Sequence, residues 1–387
     1  MKILIIRNNA NEVDLETYNL QELGLAKALV LSGHTCDIVY YTRERNQGIQ
    51  VVDIGDGKSV TIFWCRAIKV LNNAIYFSLF KGCFFDNYDV IQTIEYNQIM
   101  TYLLSKYASR PTVLYHGPYR DLKYRGLNRI YDFFFLKGII KNINGVITKS
   151  NYAEGYLREK GFKKVKTLGV GLDITKFKSL SNDLGNIISI DELKGYKILL
   201  YVGRLEERRN IKFLFKVLRN VLKINNKIKL ILVGDGEQDL VTEYFTYAKE
   251  IGVYDNIIHI KEIRQQYLSA IYRISDIFIF ASSYEIFGMV LLESMYFSLP
   301  IISSVTGGSK MLIENEKDGI LIGGFDSLQW SERIISLLED EKYRINLGIN
   351  SRTKILEKFT WDVISKQFCG VYKNAIEDFE KKRKNKK

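Results

Sequence analysis

The sequence predicts an α/β protein built from two doubly wound, Rossmann-like domains that face a cleft. The chain has 387 residues, more than a single domain usually contains. Short buried strands alternate with amphipathic helical segments in both halves. This rhythm breaks once, in a polar, turn-rich stretch between Asp173 and Glu192. We therefore place the domain boundary in that stretch.

The first domain is predicted over residues 1–178. Its strands are short apolar runs, in order KILIIR, TCDIVYY, TIFW, DVIQTI, TVLYH, GVITKS and VKTLGV. Between the first two, LQELGLAKALVL has the spacing of a helix that covers a sheet and ends before a glycine. Repetition of this β–α–β unit predicts a parallel sheet with helices on both faces.

The second domain is predicted over residues 190–358 and repeats the rhythm. Its strands lie near YKILLYVG, IKLILVGDG, NIIHI, DIFIFASS, LPIISS and GILIG. From Asp326 onward the pattern is mainly helical and ends in a long charged helix over residues 361–380. We expect this last helix to return to the first domain.

Composition disfavours several classes of protein. The four cysteines lie far apart without a CxxC pair, which argues against a zinc site or a disulfide framework. Neither a G-x-G-x-x-G fingerprint nor a Walker A loop occurs where this architecture would use it. The apolar run in MKILIIRNN is too short for a signal peptide, and later apolar stretches carry charge before they could span a bilayer. We expect a cytoplasmic protein with no metal and no cofactor.

Positive charge is unevenly distributed. The formal net charge is +12, and residues 101–180 hold sixteen Lys and Arg against five Asp and Glu. Such a surface suits nucleic acid, an anionic membrane or phosphorylated small molecules, or it is merely solvated. No nucleic-acid-binding motif is present, so we expect no nucleic-acid partner.

Ligands of open α/β sheets bind beyond the carboxyl ends of the strands. The strand DIFIF is followed by ASSYEIFG, so Glu285 lies in the turn and Gly288 begins a helix. Backbone N–H groups of Gly288, Met289 and Val290 would then hold a diphosphate. Glu293, one and a half turns on, would accept bonds from a ribose diol. The alternative is structural: Glu285 caps the helix and Glu293 belongs to a solvated face.

A second strand end, YVGRLEERRN, places three arginines before the next helix. Cations oppose the dipole at a helix N-terminus unless an anion joins them. This indicates phosphate binding, for which we choose Arg204 and Arg209. The alternative is that these arginines pair with Glu206 or Glu207.

His116 follows a buried strand in TVLYHGPY, where Gly117 and Pro118 turn the chain toward the expected cleft. A lone histidine there is either a binding residue or a structural loop residue. His34 is expected to be structural, and no role is evident for His259.

Together these motifs resemble the retaining glycosyltransferases of family 4, of the cell-surface polysaccharide type, which have the two-domain GT-B fold. GRLEERRN resembles the family's phosphate-binding segment. Glu285 and Glu293 match its E-x7-E signature within SSYEIFGMVLLESMYFSLPIISS, which TGG follows. The resemblance covers nearly the whole chain and is strongest in the second half.

This resemblance implies a metal-independent, retaining hexosyltransferase that takes a UDP- or GDP-sugar donor. Arg204 and Arg209 would bind the diphosphate, Glu293 the ribose and Glu285 the transferred sugar. His116 matches the family's histidine that reaches the donor sugar. The acceptor would be a saccharide or a lipid-linked saccharide, at the inner face of the cell membrane.

The chain departs from the family pattern at three places. Arg209 stands where the family has a lysine, which keeps the charge but changes its geometry. Glu16, Thr17 and Tyr18 replace a glycine pair near the N-terminus, and Met311 replaces a frequent glutamate. Competing readings are a non-catalytic sugar-binding or scaffold subunit, a nucleic-acid binder, and a phosphorylase of the same fold.

Overall fold

The fold is given by a computed structural model that describes residues 1–15, 20–44, 48–121, 125–177, 188, 190–263 and 265–385. The chain divides into two compact units. The first consists of Met1–Gly171 with Thr360–Lys387, and the second of Leu172–Phe359. The chain thus leaves the first unit at Gly171, seven residues before the end of the predicted first domain. Part of the predicted boundary, residues 178–187 and 189, lies outside the described residues.

Strands and helices alternate in both units. Up to Gly171 they are β1 (Lys2–Ile6), α1 (Gln21–Leu31), β2 (Thr35–Tyr41), β3 (Gly48–Gly55), β4 (Lys58–Cys65), β5 (Ile68–Val70), β6 (Asn73–Ile75), β7 (Val90–Ile94), α2 (Ile99–Tyr107), β8 (Thr112–His116), α3 (Arg125–Tyr131), α4 (Lys137–Asn142), β9 (Gly145–Thr148), α5 (Asn151–Glu159) and β10 (Val165–Thr167).

The remaining elements are α6 (Ile190–Leu193), β11 (Lys197–Val202), α7 (Ile211–Ile224), β12 (Ile228–Val233), α8 (Gln238–Glu250), β13 (Ile257–Ile260), α9 (Gln265–Ile274), β14 (Ile277–Phe280), α10 (Met289–Tyr296), β15 (Ile301–Ser304), α11 (Gly307–Leu312), β16 (Ile320–Ile322), α12 (Ser327–Glu339), α13 (Glu341–Lys358) and α14 (Trp361–Lys384). Among the described helices, none is long and apolar enough to cross a bilayer.

In the described part of the first unit, eight strands form one sheet in the order β10-β9-β8-β7-β1-β2-β4-β3. Neighbouring strands are parallel except β3 and β4, which pair antiparallel. The sequence pattern did not predict β3 or the β5-β6 hairpin. β3 lies at the sheet edge and is largely exposed on both faces, so burial imposes no alternation on its side chains.

Helix α14 belongs to the first unit, where it packs on α1 and on strands β7 to β9. Tyr372 on α14 donates a 2.5 Å hydrogen bond to Gln92 Oε1 in the buried sheet. At the start of the helix, the Trp361 ring occupies the space that a side chain would need at Gly24 or Gly171. The last helix thus packs against the first unit, as expected, through a buried hydrogen bond and a tryptophan that fits against two glycines.

The second unit has a six-stranded parallel sheet in its described part, in the order β13-β12-β11-β14-β15-β16. The chain runs outward from β11 to β13 and then continues on the other side of β11 with β14. At such a switch point the loops after the two central strands diverge and leave a crevice at their carboxyl ends. The loops that follow β11 and β14 therefore adjoin this crevice.

Candidate functional site

The loops after β11 and β14 are joined by hydrogen bonds. Ser283 N donates to the Arg208 carbonyl oxygen over 2.8 Å, and Asn210 Nδ2 donates to the Ala281 carbonyl oxygen over 2.8 Å. Asn210 has a left-handed φ of 54°, a conformation that asparagine tolerates, and α7 begins directly after it. The two strand ends thus form one rigid surface.

Arg209 and Glu285 meet on this surface. Arg209 Nη1 lies 2.6 Å from Glu285 Oε2 and 3.3 Å from Ser282 Oγ, while the guanidinium lies 5.0 Å from the centre of the Phe280 ring. Burial alone would lower the pKa of Arg209, but the charge of Glu285 and its hydrogen bond raise that pKa above its ordinary value. Arg209 is therefore a fixed positive charge.

Arg208 extends the cluster. Its Nη1 donates to the Tyr284 carbonyl oxygen over 2.6 Å and lies 3.7 Å from Glu285 Oε2. Its Nη2 is 2.6 Å from Glu206 Oε1, and Arg209 Nε lies 3.6 Å from the same oxygen, so the structural alternative of a Glu206 pair holds for both arginines. From the sequence, Arg204 rather than Arg208 was predicted to bind phosphate. The Arg204 side chain is exposed, and no ion pair holds its guanidinium within the described residues.

The arginine loop rests on the GDG turn after β12. Leu205 N donates to the Asp235 carbonyl oxygen over 2.9 Å. A Cβ atom on Gly234 or Gly236 would overlap the backbone of the Gly203–Leu205 segment. His259 Nε2 donates to the Gly234 carbonyl oxygen over 2.8 Å. The turn that the sequence indicated only as a strand-to-helix connection therefore supports the arginines, and His259 has a structural role.

Helix α10 begins beside Glu285, as predicted. Gly288 is its N-cap with a left-handed φ of 89°, which glycine adopts without strain. The N–H groups of Met289 and Val290 have no backbone acceptor among the described residues. These N–H groups lie at the N-terminus of the helix, which is the positive end of its dipole, and are available to an anion.

Gly308, in the TGG segment, supports the turn before α10. Its N–H donates to the Glu285 carbonyl oxygen over 3.1 Å, and a Cβ there would overlap the Phe287 carbonyl. Thr306 caps α11 and forms a capping box with Ser309. Met311 lies half-buried in α11. TGG therefore sets the backbone position of Glu285.

Glu293 is buried in α10, so the interpretation as a solvated face residue is wrong. One carboxylate oxygen accepts a 3.0 Å hydrogen bond from Tyr272 Oη on α9. Burial raises the pKa of Glu293 to about 7, although the Tyr272 hydrogen bond and the charge of Lys176 act in the opposite direction. Near neutral pH this carboxyl group is therefore partly protonated.

In the first unit, three neighbouring strands β7, β8 and β9 end in one cluster of side chains. His116 closes β8 and is only 1% exposed; its Nδ1 lies 2.6 Å from Glu95 Oε2, directly after β7. Lys149, directly after β9, lies 3.9 Å from Glu95 Oε1. The Gly117 N–H also donates to Glu95 Oε2, over 3.2 Å. Glu95 thus holds His116 in one orientation.

The second nitrogen of His116, Nε2, is buried and has no hydrogen-bond partner among the described residues. Its ring stacks on Tyr156 at 6.0 Å and meets the edge of Tyr96 at 5.4 Å. Buried polar atoms are nearly always paired, so Nε2 is open to a bond from an ordered water or from a bound ligand. Burial would raise the pKa of Glu95, but the charge and hydrogen bond of His116, then Lys149 and Gly117, lower it.

Sequence reasoning missed Glu95, Lys149, Arg208 and Tyr272. Glu95 follows DVIQTI and Lys149 follows GVIT, so the rule that selected His116 also selects both. The order of strands in the sheet, which the sequence does not state, was needed to bring them together. The departure at residues 16–18 lies outside the described residues.

In the second unit, a guanidinium pair, a carboxylate and two free N–H groups adjoin one helix N-terminus. Positive charge and N–H donors bind phosphate oxygens, and a neighbouring carboxylate stabilises positive charge that develops on an attached group. Within the described residues, no three His, Cys, Asp or Glu side chains group as metal ligands. The arrangement suits a diphosphate ester.

Residues 186–354 match the model of the family described as glycosyl transferases group 1. An uncharacterized glycosyltransferase of Methanocaldococcus jannaschii is 31% identical over 184 residues, which are 47% of this chain and 46% of that protein. The chain spans about half the length of the curated relatives it matches.

Solved structures are similar over nearly the whole chain. Sucrose-phosphate synthase from Thermosynechococcus elongatus has a TM-score of 0.76 at 19% identity and covers 98% of this chain and 100% of its own. The Anabaena HepE protein in complex with UDP-glucose has a TM-score of 0.71 at 18% identity and covers 96% and 98%. Residues 186–354 are thus similar to the group 1 glycosyl transferases, and the chain has the GT-B fold.

Proposed function

We propose that this protein transfers a sugar from a nucleotide-diphosphate sugar, UDP- or GDP-linked, to a hydroxyl group of a saccharide or lipid-linked saccharide. The observation that carries the proposal is the 2.6 Å contact between Arg209 and Glu285 beside the start of α10. A catalyst of glycosyl transfer needs positive charge at the leaving phosphate and negative charge at the anomeric carbon. Here the two charges are adjacent.

Each residue has a proposed role. Arg208 and Arg209, with the N–H groups at the start of α10, bind the diphosphate, and the exposed Arg204 reaches its outer oxygens. Glu285 faces the transferred sugar. Glu293 accepts hydrogen bonds from the ribose hydroxyls. His116 donates or accepts a hydrogen bond through Nε2 with a sugar hydroxyl.

The proposed reaction retains the anomeric configuration and needs no metal. The bond between the anomeric carbon and the β-phosphate oxygen breaks with its electron pair on the phosphate. The acceptor oxygen attacks the same face of the sugar, and its proton passes to the leaving phosphate. Arg208 and Arg209 stabilise that phosphate, and the Glu285 carboxylate stabilises the positive charge on the ring. Double displacement would need a nucleophile on the opposite face.

We further propose that the enzyme acts at the cytoplasmic face of the cell membrane in assembling a surface polysaccharide. Support comes from the excess of Lys and Arg in residues 101–180, since anionic lipid attracts such segments. The similar HepE structure is a complex with UDP-glucose, and this similarity favours a UDP-sugar donor here.

Calorimetric titration with UDP and GDP in the presence of EDTA tests the proposal. We expect one nucleotide to bind, and Arg209→Ala to weaken binding roughly 30-fold. Arg219→Ala, which removes an exposed arginine on α7, is the matched control and should bind normally. Absence of binding by the wild-type protein would overturn the proposal. With an accepted donor, NMR of the product gives the anomeric configuration.

A further inference from the structure

An outward-facing apolar stripe lies on the helical segment between β8 and β9. Leu127 is 50% exposed, Ile130 57%, Phe133 81% and Phe134 66%. Leu127, Ile130 and the adjacent pair Phe133–Phe134 follow one another at intervals of three or four residues along α3 and the turn after it, so they share one side of the segment. Together they expose on the order of 500 Å² of apolar surface, the size of the largest patch on a typical monomer.

The opposite face of the same segment is also apolar. Tyr131, Phe135 and Leu136 pack against the core cluster that contains Leu114 and Ile139. A helix that is apolar all round is normally buried. The segment between β8 and β9 buries one face in the core and exposes the other to solvent. Core packing therefore does not account for the apolar side chains on its exposed face.

A π-helical turn over Asp132–Leu136 shapes the stripe. The wider turn places Phe133 and Phe134 side by side at the surface, with their ring centres 5.1 Å apart and edge to face. Such turns inside α-helices occur frequently at functional sites. The most exposed aromatic side chains of the stripe therefore coincide with its irregular turn.

Basic residues continue the stripe. Lys137 and Lys141 follow at the same helical spacing, and both are exposed, as is Arg129. Asp132 is the only acidic residue between positions 125 and 142. Its carboxylate is 2.5 Å from Lys160 Nζ, so it does not offset these charges.

We propose that Leu127, Ile130, Phe133 and Phe134 insert into the interface of an anionic lipid bilayer while Lys137 and Lys141 contact its headgroups. Apolar insertion beside lysines is how amphipathic helices bind anionic membranes. A second copy of the chain fits less well, because the same positive charges would meet and the patch is smaller than the roughly 800 Å² per partner of a stable interface. This inference rests on the membrane contact proposed above and assigns its residues.

Flotation with liposomes tests the assignment. The wild-type protein should float with vesicles of phosphatidylcholine and phosphatidylglycerol but not with phosphatidylcholine alone. Phe133→Ser/Phe134→Ser should reduce binding at least tenfold, and Lys137→Gln/Lys141→Gln should reduce its salt dependence. Ile345→Ser/Ile349→Ser, which removes another exposed apolar pair, on α13, is the control and should float normally.

Each failure has its own signature. If the phenylalanine variant floats like the wild type, the stripe is not the insertion site, although the membrane proposal stands. If the wild type does not float, both fall, while nucleotide binding still reports separately on the proposed transferase. If sedimentation finds a dimer that this variant dissociates, the partner is a second copy and the inference is overturned. In Phe133→Trp, a blue-shifted emission quenched by brominated lipid would give direct support.

Discussion

At the scale of single residues, Glu285 holds Arg209 while facing the position assigned to the sugar. Glu285→Gln removes the negative charge but keeps the size of the side chain. We expect kcat to fall roughly 100-fold or more, because the carboxylate acts on charge that develops in the transition state. Affinity for free nucleotide should be kept or should rise, since Arg209 loses a competing anion. Kinetics and titration of one preparation measure both, and unchanged kcat would contradict the role.

Glu95 is expected to position His116 rather than to bind substrate. Glu95→Gln should lower kcat/KM by about tenfold, as losses of orienting partners commonly do. The pKa of Glu95 is lowered in the folded protein, so its ionisation stabilises the fold above the ordinary carboxyl pKa and that stabilisation is lost as pH falls. The variant should therefore unfold at a lower temperature at pH 7 and converge with the wild type in acid. A pH-independent difference would indicate a packing defect instead.

Glu293 has the opposite linkage to pH. Its pKa of about 7 exceeds the ordinary 4.5, so the folded state holds a proton that the unfolded state has lost between those values. Stability due to this group falls as pH rises across that interval, by about 3 kcal/mol in total. Glu293→Gln should therefore raise the melting temperature at pH 8 and have little effect near pH 5. Thermal scans over pH measure this, and a pH-independent difference would contradict it.

At the scale of elements, the start of α11 supports the turn before α10 through Gly308. Gly308→Ala would place a Cβ against the Phe287 carbonyl, so the backbone between Glu285 and Gly288 must move. We expect a loss of roughly 1–3 kcal/mol in stability and weaker nucleotide binding. Gly323→Ala is the control, because its Cβ would meet nothing within 4 Å. Equal behaviour of the two variants would refute this supporting role.

The limits of sequence reasoning also lie at this scale. Periodicity predicted the buried strands and the start of α10, because burial on both faces leaves an unmistakable apolar run. It missed β3, whose exposed faces carry no such constraint. Residue type alone favoured Arg204 over Arg208, because the sequence does not reveal the 3₁₀ turn at Glu207–Arg209. This turn directs Arg208 and Arg209 toward Glu285. The conformation of a loop depends on the strands beside it, and the order of the strands in the sheet was not predicted from the sequence.

At the scale of the whole molecule, the first unit depends on residues distant in sequence. Trp361 fills the space above Gly24 and Gly171, and α14 covers the sheet. Trp361→Ala should destabilise the first unit by about 3–5 kcal/mol, the usual cost of removing a buried tryptophan. The second unit should be unaffected. Hydrogen exchange resolved by peptide separates the two, and uniform loosening of both would contradict the assignment.

The GT-B fold was predicted from rhythm and motifs, and the similar solved structures confirm it. The sequence did not predict which strand ends are neighbours in the sheets. The pairs Arg209–Glu285 and Glu95–His116 join residues 76 and 21 positions apart, and only the strand order brings them into contact. Residue type selected Arg209, Glu285 and His116, whereas topology was needed to find Glu95.

The placement of α14 bears on how the protein is made. Residues 172–359 form a continuous stretch that a ribosome synthesises before α14. The second unit can therefore fold before the first unit is complete. Until α14 is available, the sheet of the first unit stays uncovered where that helix will pack. During that interval an apolar surface is open to aggregation. Chaperone dependence should therefore fall on the half that is translated first.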